Sequence, residues 1–129
     1  MLGHTYRYQA QNETGGSVTV TVKDRRRKFA GGARVDAAES TPMNGVAVGA
    51  SGYGNGSTVD NSGTSDLWLG ADLQIIFAPG ASVTGAVTLR RQVSSDGGAT
   101  WPSDGKGEFI TAHRFSASST AVTLQAVVD

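Results

Sequence analysis

Residues that could do chemistry are few in this 129-residue sequence, and they lie far apart. The two histidines, His4 and His113, have no cluster of acidic or histidine neighbours at the spacing of a zinc site. Asp96, Asp104 and Glu108 carry the oxygen ligands that calcium prefers, but their spacing fits no calcium-binding loop. Serine, histidine and aspartate also occur without a turn that would expose a nucleophile. We therefore predict a protein that is not an enzyme and that holds no metal and no cofactor.

One segment does have residue types at spacings that a particular local structure demands. It lies between two alternating runs, 87–93 and 108–115, and its fixed positions are Ser94, Asp96, Gly98, Thr100 and Trp101. An aspartate in such a turn accepts hydrogen bonds from backbone donors, glycine supplies positive φ, and tryptophan covers the turn with a large apolar ring. The pattern predicts a locked turn in a β-hairpin.

This segment resembles the Asp-box pattern, Ser-x-Asp-x-Gly-x-Thr-Trp, at every fixed position. Asp boxes recur in sialidases and related propellers, where they are structural turns remote from the active site. Here the pattern occurs once, and the arginine triad and tyrosine nucleophile of sialidases have no visible counterpart. The resemblance therefore implies a structural hairpin and not a glycosidase.

A second candidate site is the basic run of Arg25, Arg26, Arg27 and Lys28. Four cations in a row are typical of a nucleic-acid patch, of a contact with an acidic partner subunit, or of an exposed strand end. In an extended segment only alternate residues share a face, and no aromatic residue is interleaved for base stacking. We do not expect nucleic acid, and we treat the four residues as candidate subunit contacts.

The segment at about 49–65 is rich in glycine and serine, and its only sizeable apolar side chains are Tyr53 and Val59. We expect a flexible loop without regular structure, since so little apolar surface can be buried. Tyr53 is either a subunit contact or a ring lying over the sheet. With Trp68 and Trp101 it could instead form a sugar-binding platform, so a host-surface glycan is an alternative partner.

The composition is typical of a turn-rich β domain, with 18 glycines, no cysteine and 38% hydrophobic residues. No apolar run approaches the ~20 residues that span a membrane, so we expect no membrane association. The net charge is zero, yet residues 1–34 carry +5 and the remainder −5. This polarity would orient copies in an assembly or attract a polyanion, unless it is only a solvated face.

Alternating apolar residues predict the strands. We expect an N-terminal hairpin of 4–10 and 17–23 with Val18, Val20 and Val22 inward, a central strand at 72–77, and a last strand at 122–128. Seven to nine short strands without helix indicate one domain, residues 1–129, folded as an antiparallel β-sandwich of the jelly-roll or immunoglobulin-like kind.

Most of the chain is similar to the small β-sandwich virion proteins of tailed bacteriophages. The similarity rests on the order of the valine-threonine hairpin, the basic run, Ser65-Asp66-Leu67-Trp68-Leu69-Gly70 and the Asp-box segment. It implies a structural protein of the virion, in the tail rather than on the capsid surface, that assembles in the host cytoplasm. Its partners would be copies of itself and other virion proteins; a capsid decoration protein and a carbohydrate-binding module are the alternatives.

Overall fold

The structure, a computed structural model, describes residues 5–61 and 68–129. Within these residues ten strands form two antiparallel sheets packed together, which confirms the predicted all-β sandwich. The strands are β1 (Thr5–Asn12), β2 (Val18–Ala30), β3 (Ala33–Asp36), β4 (Ser40–Val48), β5 (Tyr53–Asn55), β6 (Val59–Asp60), β7 (Gly70–Pro79), β8 (Val83–Ser94), β9 (Glu108–Ser118) and β10 (Val122–Val128). The number exceeds the predicted seven to nine because β3, β5 and β6 are only two to four residues long.

Sheet 1 has the strand order β5-β1-β8-β9, with β6 also pairing with β1. Sheet 2 has the order β10-β7-β2-β3, with β4 pairing with β2 beside β3. The hairpin predicted around the Asp-box segment is present, since β8 and β9 pair antiparallel on either side of residues 95–107.

The core lies between the sheets and is built from alternate residues of each strand. Val18, Val20 and Val22 are fully buried, as predicted from the valine-threonine alternation. The central strand is also confirmed, because β7 lies between β10 and β2 and buries Leu73, Ile75 and Phe77. Each such side chain contributes about 1.5–3 kcal/mol when fully buried.

The predicted N-terminal hairpin is wrong, because β1 pairs in sheet 1 and β2 pairs in sheet 2. The turn between them is folded by Asn12, whose amide donates to Gly16 O (2.7 Å) and to Val48 O (3.0 Å). Its carbonyl accepts from the Thr14 backbone N–H at 2.9 Å. These bonds direct the chain across the sandwich, and two-residue periodicity cannot distinguish such a crossing from a hairpin.

Two short strands fall inside the segment 49–65, where we expected none. β5 and β6 both pair with β1, which places Tyr53 opposite Gln11 and Val59 opposite Tyr6. The part of the predicted loop at 62–67 lies outside the described residues. After it, Trp68 is held by Asn61 through a backbone N–H to side-chain oxygen bond of 3.1 Å.

Candidate assembly surfaces

The Asp-box turn is closed by side-chain hydrogen bonds at the end of β8. Asp96 accepts from the Thr100 backbone N–H (2.8 Å) and from the Thr100 hydroxyl (2.5 Å), while Ser94 Oγ accepts from the Gly98 N–H at 2.9 Å. Gly98 has φ 95°, a conformation that favours glycine. The donors from Thr100 and Ser94 lower the pKa of Asp96 to about 2. Asp96 is thus an ionised, hydrogen-bonded part of the turn.

Trp101 is half-buried beside this turn. The guanidinium carbon of Arg7 lies 4.5 Å from the centre of its ring, within cation–π distance. The ring is therefore in contact with β1 of the same chain.

Residues 102–107 continue from Trp101 and fold back over the outer face of sheet 1, where two buried glutamines hold them. The side-chain nitrogen Nε2 of Gln92 is within hydrogen-bond distance of three backbone carbonyl oxygens: Pro102 O at 3.4 Å, Ser103 O at 3.2 Å and Lys106 O at 3.0 Å. Gln9 donates to Asp104 Oδ1 (2.9 Å) and accepts from the Gly105 N–H (3.0 Å). We call this outer side of sheet 1, with residues 102–107 on it, the covered face.

Tyr53 lies at the border of the covered face. A methyl group at Gly105 would be 3.2 Å from the Tyr53 hydroxyl, so the ring packs beside the 102–107 segment. The residue is nevertheless 40% exposed. Of the three aromatics considered for a sugar platform, it is the one whose ring is not stacked with a cation in this structure.

The basic run lies near the end of β2, which is an inner strand of sheet 2. Its residues belong to β2, which pairs with β7 on one side and with β3 on the other; Arg27 stands opposite both Gly70 and Asp36. As the alternation predicted, the four cations divide between two faces. Arg26 and Lys28 lie over the ring of Trp68, at 5.4 and 4.6 Å from its centre.

Trp68 is the aromatic partner that the sequence analysis missed. It lies forty residues after Lys28 and reaches the cations only because β7 pairs with β2. The spacing in the sequence contains no signal for this contact.

Arg27 and Arg34 join a chain of ion pairs on the other face of sheet 2. Arg27 Nη1 lies 2.8 Å from Asp72 Oδ1, and Arg27 also pairs with Asp129. Arg34 contacts Asp36 at 2.9 Å and the second oxygen of Asp72 at 3.4 Å. These ion pairs thus join basic residues of the first 34 positions to acidic residues of the rest of the chain.

The outward side chains of sheet 2 form a second surface, which we call the open face. The register aligns Lys23, Gln74 and Gln125 in one row across β2, β7 and β10, and Arg25, Asp72 and Val127 in the next. The side chains of the open face are exposed or half-exposed: Lys23, Arg25, Arg27, Phe29, Asp72, Gln74, Gln125 and Val127. A groove of about 600 Å³ crosses the two rows.

Apolar side chains remain exposed at one end of the open face. Phe29 is 66% exposed and Val127 65%. A smaller hollow of about 310 Å³ adjoins Phe29 and is lined also by Leu69, Gly70 and Asp129. Exposed apolar residues beside a polar rim are typical of a surface that contacts another protein.

The carboxylates considered for calcium do not come together. Asp96 is bound within its turn, Asp104 to Gln9, and Glu108 to Arg91 at 3.0 Å. Among residues 5–61 and 68–129, no group of three acidic or histidine side chains could hold a metal ion. His4 lies outside the described residues, and His113 stacks edge-on against Phe115 at 4.7 Å.

In the described part of the chain, no helix is long and apolar enough to cross a membrane. A scan against models of protein families, a search of curated proteins and a search of solved structures each find no significant match.

Proposed function

We propose that the chain is a non-enzymatic structural subunit of a bacteriophage virion, associated with the tail and assembling in multiple copies. The observation that carries the proposal is the open face, which exposes Phe29 and Val127 beside a line of alternating charges. The location in a virion is inferred from the similarity of the sequence to small virion proteins. The fold is compatible with this location.

The open face exposes apolar side chains next to charged ones. Apolar surface contributes about 25 cal/mol per Å² when it is removed from water, so burying Phe29, Val127 and Leu69 against another subunit favours association. Of the charges beside them, Arg27 and Arg34 are already paired with Asp72 within the chain. These groups can be buried without leaving isolated charges, whose burial is costly.

The glycan alternative receives less support. Trp68 lies under Arg26 and Lys28, and Trp101 lies under Arg7, so side chains of the same chain already cover part of each ring. Of the three candidate rings, Tyr53 is the one that combines exposure with the absence of a stacked cation. Capsid decoration differs from a tail role in location alone, and the open face would serve either.

The test is the molar mass of the purified chain across a concentration series, by light scattering, with negative-stain images of any assembly. We expect a stoichiometric oligomer or lattice. Phe29→Ser combined with Val127→Ser should weaken association about tenfold or more, because the two side chains would be buried between copies.

The matched control is Phe109→Ser, since Phe109 is 62% exposed but lies on β9 of the other sheet. Its variant should associate like the wild type. A chain that stays monomeric at all concentrations, and that binds glycans in a way abolished by Tyr53→Ala, would contradict the proposal. Location on the tail is tested by immunogold labelling of the particles.

A further inference from the structure

The two sheets have four edges, and they differ in how they are protected against pairing with another strand. A sheet edge presents backbone N–H and C=O groups that can pair with a second chain. Proteins block such pairing with charges, prolines, bulges and very short strands. In the described residues the edges are β9 and β5/β6 in sheet 1, and β10 and β3/β4 in sheet 2.

Three of these edges carry such protection. β9 bears Glu108 and Arg114 and has two shifts of register against β8. β4 contains Pro42 and Gly45 and also shifts register twice, and its neighbour β3 has four residues. β5 and β6 have three and two residues.

The fourth edge, β10, has none of these features. Its seven residues, Val122 to Val128, contain no charge, proline or glycine. They pair with β7 in one unbroken register from Val122–Phe77 to Val128–Ala71. Its inward side chains Val122, Leu124 and Ala126 are only half-buried. A regular, uncharged edge of this length is a template for strand addition.

We propose that β10 pairs antiparallel with β10 of a second copy, about a two-fold axis at Gln125. This inference rests on the proposed assembly of copies and adds a second contact between them, along the edge of sheet 2, which is separate from the burial of the open face. The pairing joins the two copies of sheet 2 into one continuous sheet, and it places their open faces side by side.

A second copy fits this edge because the strand is complementary to itself in that register. Gln125 lies opposite Gln125, Leu124 opposite Ala126, and Val122 opposite Val128. Residues directly opposite each other share a face, so inward residues meet inward residues and the apolar layer continues across the junction. No charged residue of the strand opposes a like charge.

Disulfide trapping tests the register directly, because the chain contains no cysteine. In the proposed pair the two Gln125 Cα atoms are about 4.5–5.5 Å apart, within reach of a disulfide. The variant Gln125→Cys should therefore form a covalent dimer under mild oxidation.

The control is Gln74→Cys, on the same face and in the same row, but one strand further from the edge. Two copies of Gln74 would be three strand spacings apart, roughly 14 Å, which is beyond the range of a disulfide. This variant should therefore run as a monomer on non-reducing gels.

Charge variants supply an independent measurement in solution. Gln125→Lys and Gln125→Glu each place like charges opposite each other and should weaken dimerisation about tenfold. An equimolar mixture of the two variants should restore it, because opposite charges then face each other.

The outcomes separate the two proposals. If the chain assembles but Gln125→Cys does not cross-link and the charge variants assemble like the wild type, the β10 pairing is wrong and assembly through another surface stands. If the wild type is monomeric and Gln125→Cys gives no covalent dimer, both proposals fail. Cross-linking of Gln125→Cys without cross-linking of Gln74→Cys, together with rescue by mixing, supports the pairing.

Discussion

The two outer faces of the sandwich carry glutamine at comparable positions. The glutamines are buried on one face and exposed on the other. On the covered face, Gln9 and Gln92 are buried and hold residues 102–107 through hydrogen bonds. On the open face, Gln74 and Gln125 remain exposed in the middle of a row that crosses three strands. One face is completed within the chain, and we propose that the other forms a contact between chains.

The difference follows from the long connection between β8 and β9. The Asp-box turn closes its first part, and the remaining residues have enough length to fold back onto β1 and β8. In sheet 2 the β2–β3 and β3–β4 links have only two and three residues, which is too short for a comparable segment to fold back over the outward residues. The covered face therefore depends on the segment that follows the Asp-box turn and on its hydrogen bonds to Gln9 and Gln92.

The largest expected effect comes from breaking the covered face. Gln92→Ala removes the side-chain amide that donates hydrogen bonds to the backbone carbonyls of Ser103 and Lys106. Both carbonyls then lack that donor. We expect the free energy of unfolding to fall by about 2 kcal/mol. The matched variant Gln74→Ala, on the open face, should stay within about 0.5 kcal/mol of the wild type in urea titrations. Equal losses for both variants would contradict the distinction between the faces.

The next largest effect is a dependence of stability on pH, which has opposite signs for Asp96 and Asp24. Asp96 has a pKa lowered to about 2 by its turn, so its stabilising contribution is present above the ordinary aspartate pKa of about 3.9 and is lost as the pH falls towards 2. The stability difference between the wild type and Asp96→Asn should therefore shrink in acid, as denaturant titrations between pH 2.5 and 7 would measure.

Asp24 behaves in the opposite way because it lies between the sheets. Burial raises the pKa of its carboxyl, a shift opposed by the hydrogen bond from Ser40 and by the charge of Arg26. The carboxyl of the unfolded chain ionises near pH 3.9, whereas the buried carboxyl of the folded protein ionises only at higher pH. The free energy of unfolding therefore falls as the pH rises from about 3.9 through the raised pKa. Asp24→Asn should gain stability relative to the wild type over that range; a difference independent of pH would show that the carboxyl is not desolvated.

The smallest effect is expected from the ion pairs of the open face. Asp72→Asn weakens the contacts with Arg27 and Arg34, but Asp72 is half-exposed, and such pairs contribute about 0–1 kcal/mol. Thermal unfolding of the variant should therefore shift by only a few degrees. A large loss of stability would show that the open face is a structural unit of the monomer and not a contact surface.

Local patterns in the sequence were sufficient for much of the fold. Alternation identified the buried valines of β2, the central strand and the last strand, β10, because burial on one face of a strand imposes a period of two. The spacing from Ser94 to Trp101 identified the β8–β9 hairpin, since each fixed residue serves a contact within a few positions.

What the sequence did not show depends on which strands pair. Trp68 meets Arg26 and Lys28, and Asp72 meets Arg27, only through the register of β7 with β2. The assignment of β1 and β2 to different sheets depends on Asn12, whose side chain bonds to the distant Val48. Alternation carries no information about partners that are thirty or more residues away.

One face of the sandwich is completed within the chain, and we propose that the other is completed between chains. Hydrogen exchange measured by mass spectrometry at increasing protein concentration tests it most directly. We predict that peptides covering 23–29 and 122–128 become more protected as the concentration rises, while residues 102–107 keep the same protection throughout. Protection that is independent of concentration at 23–29 and 122–128, or that changes with concentration only at 102–107, would contradict the claim.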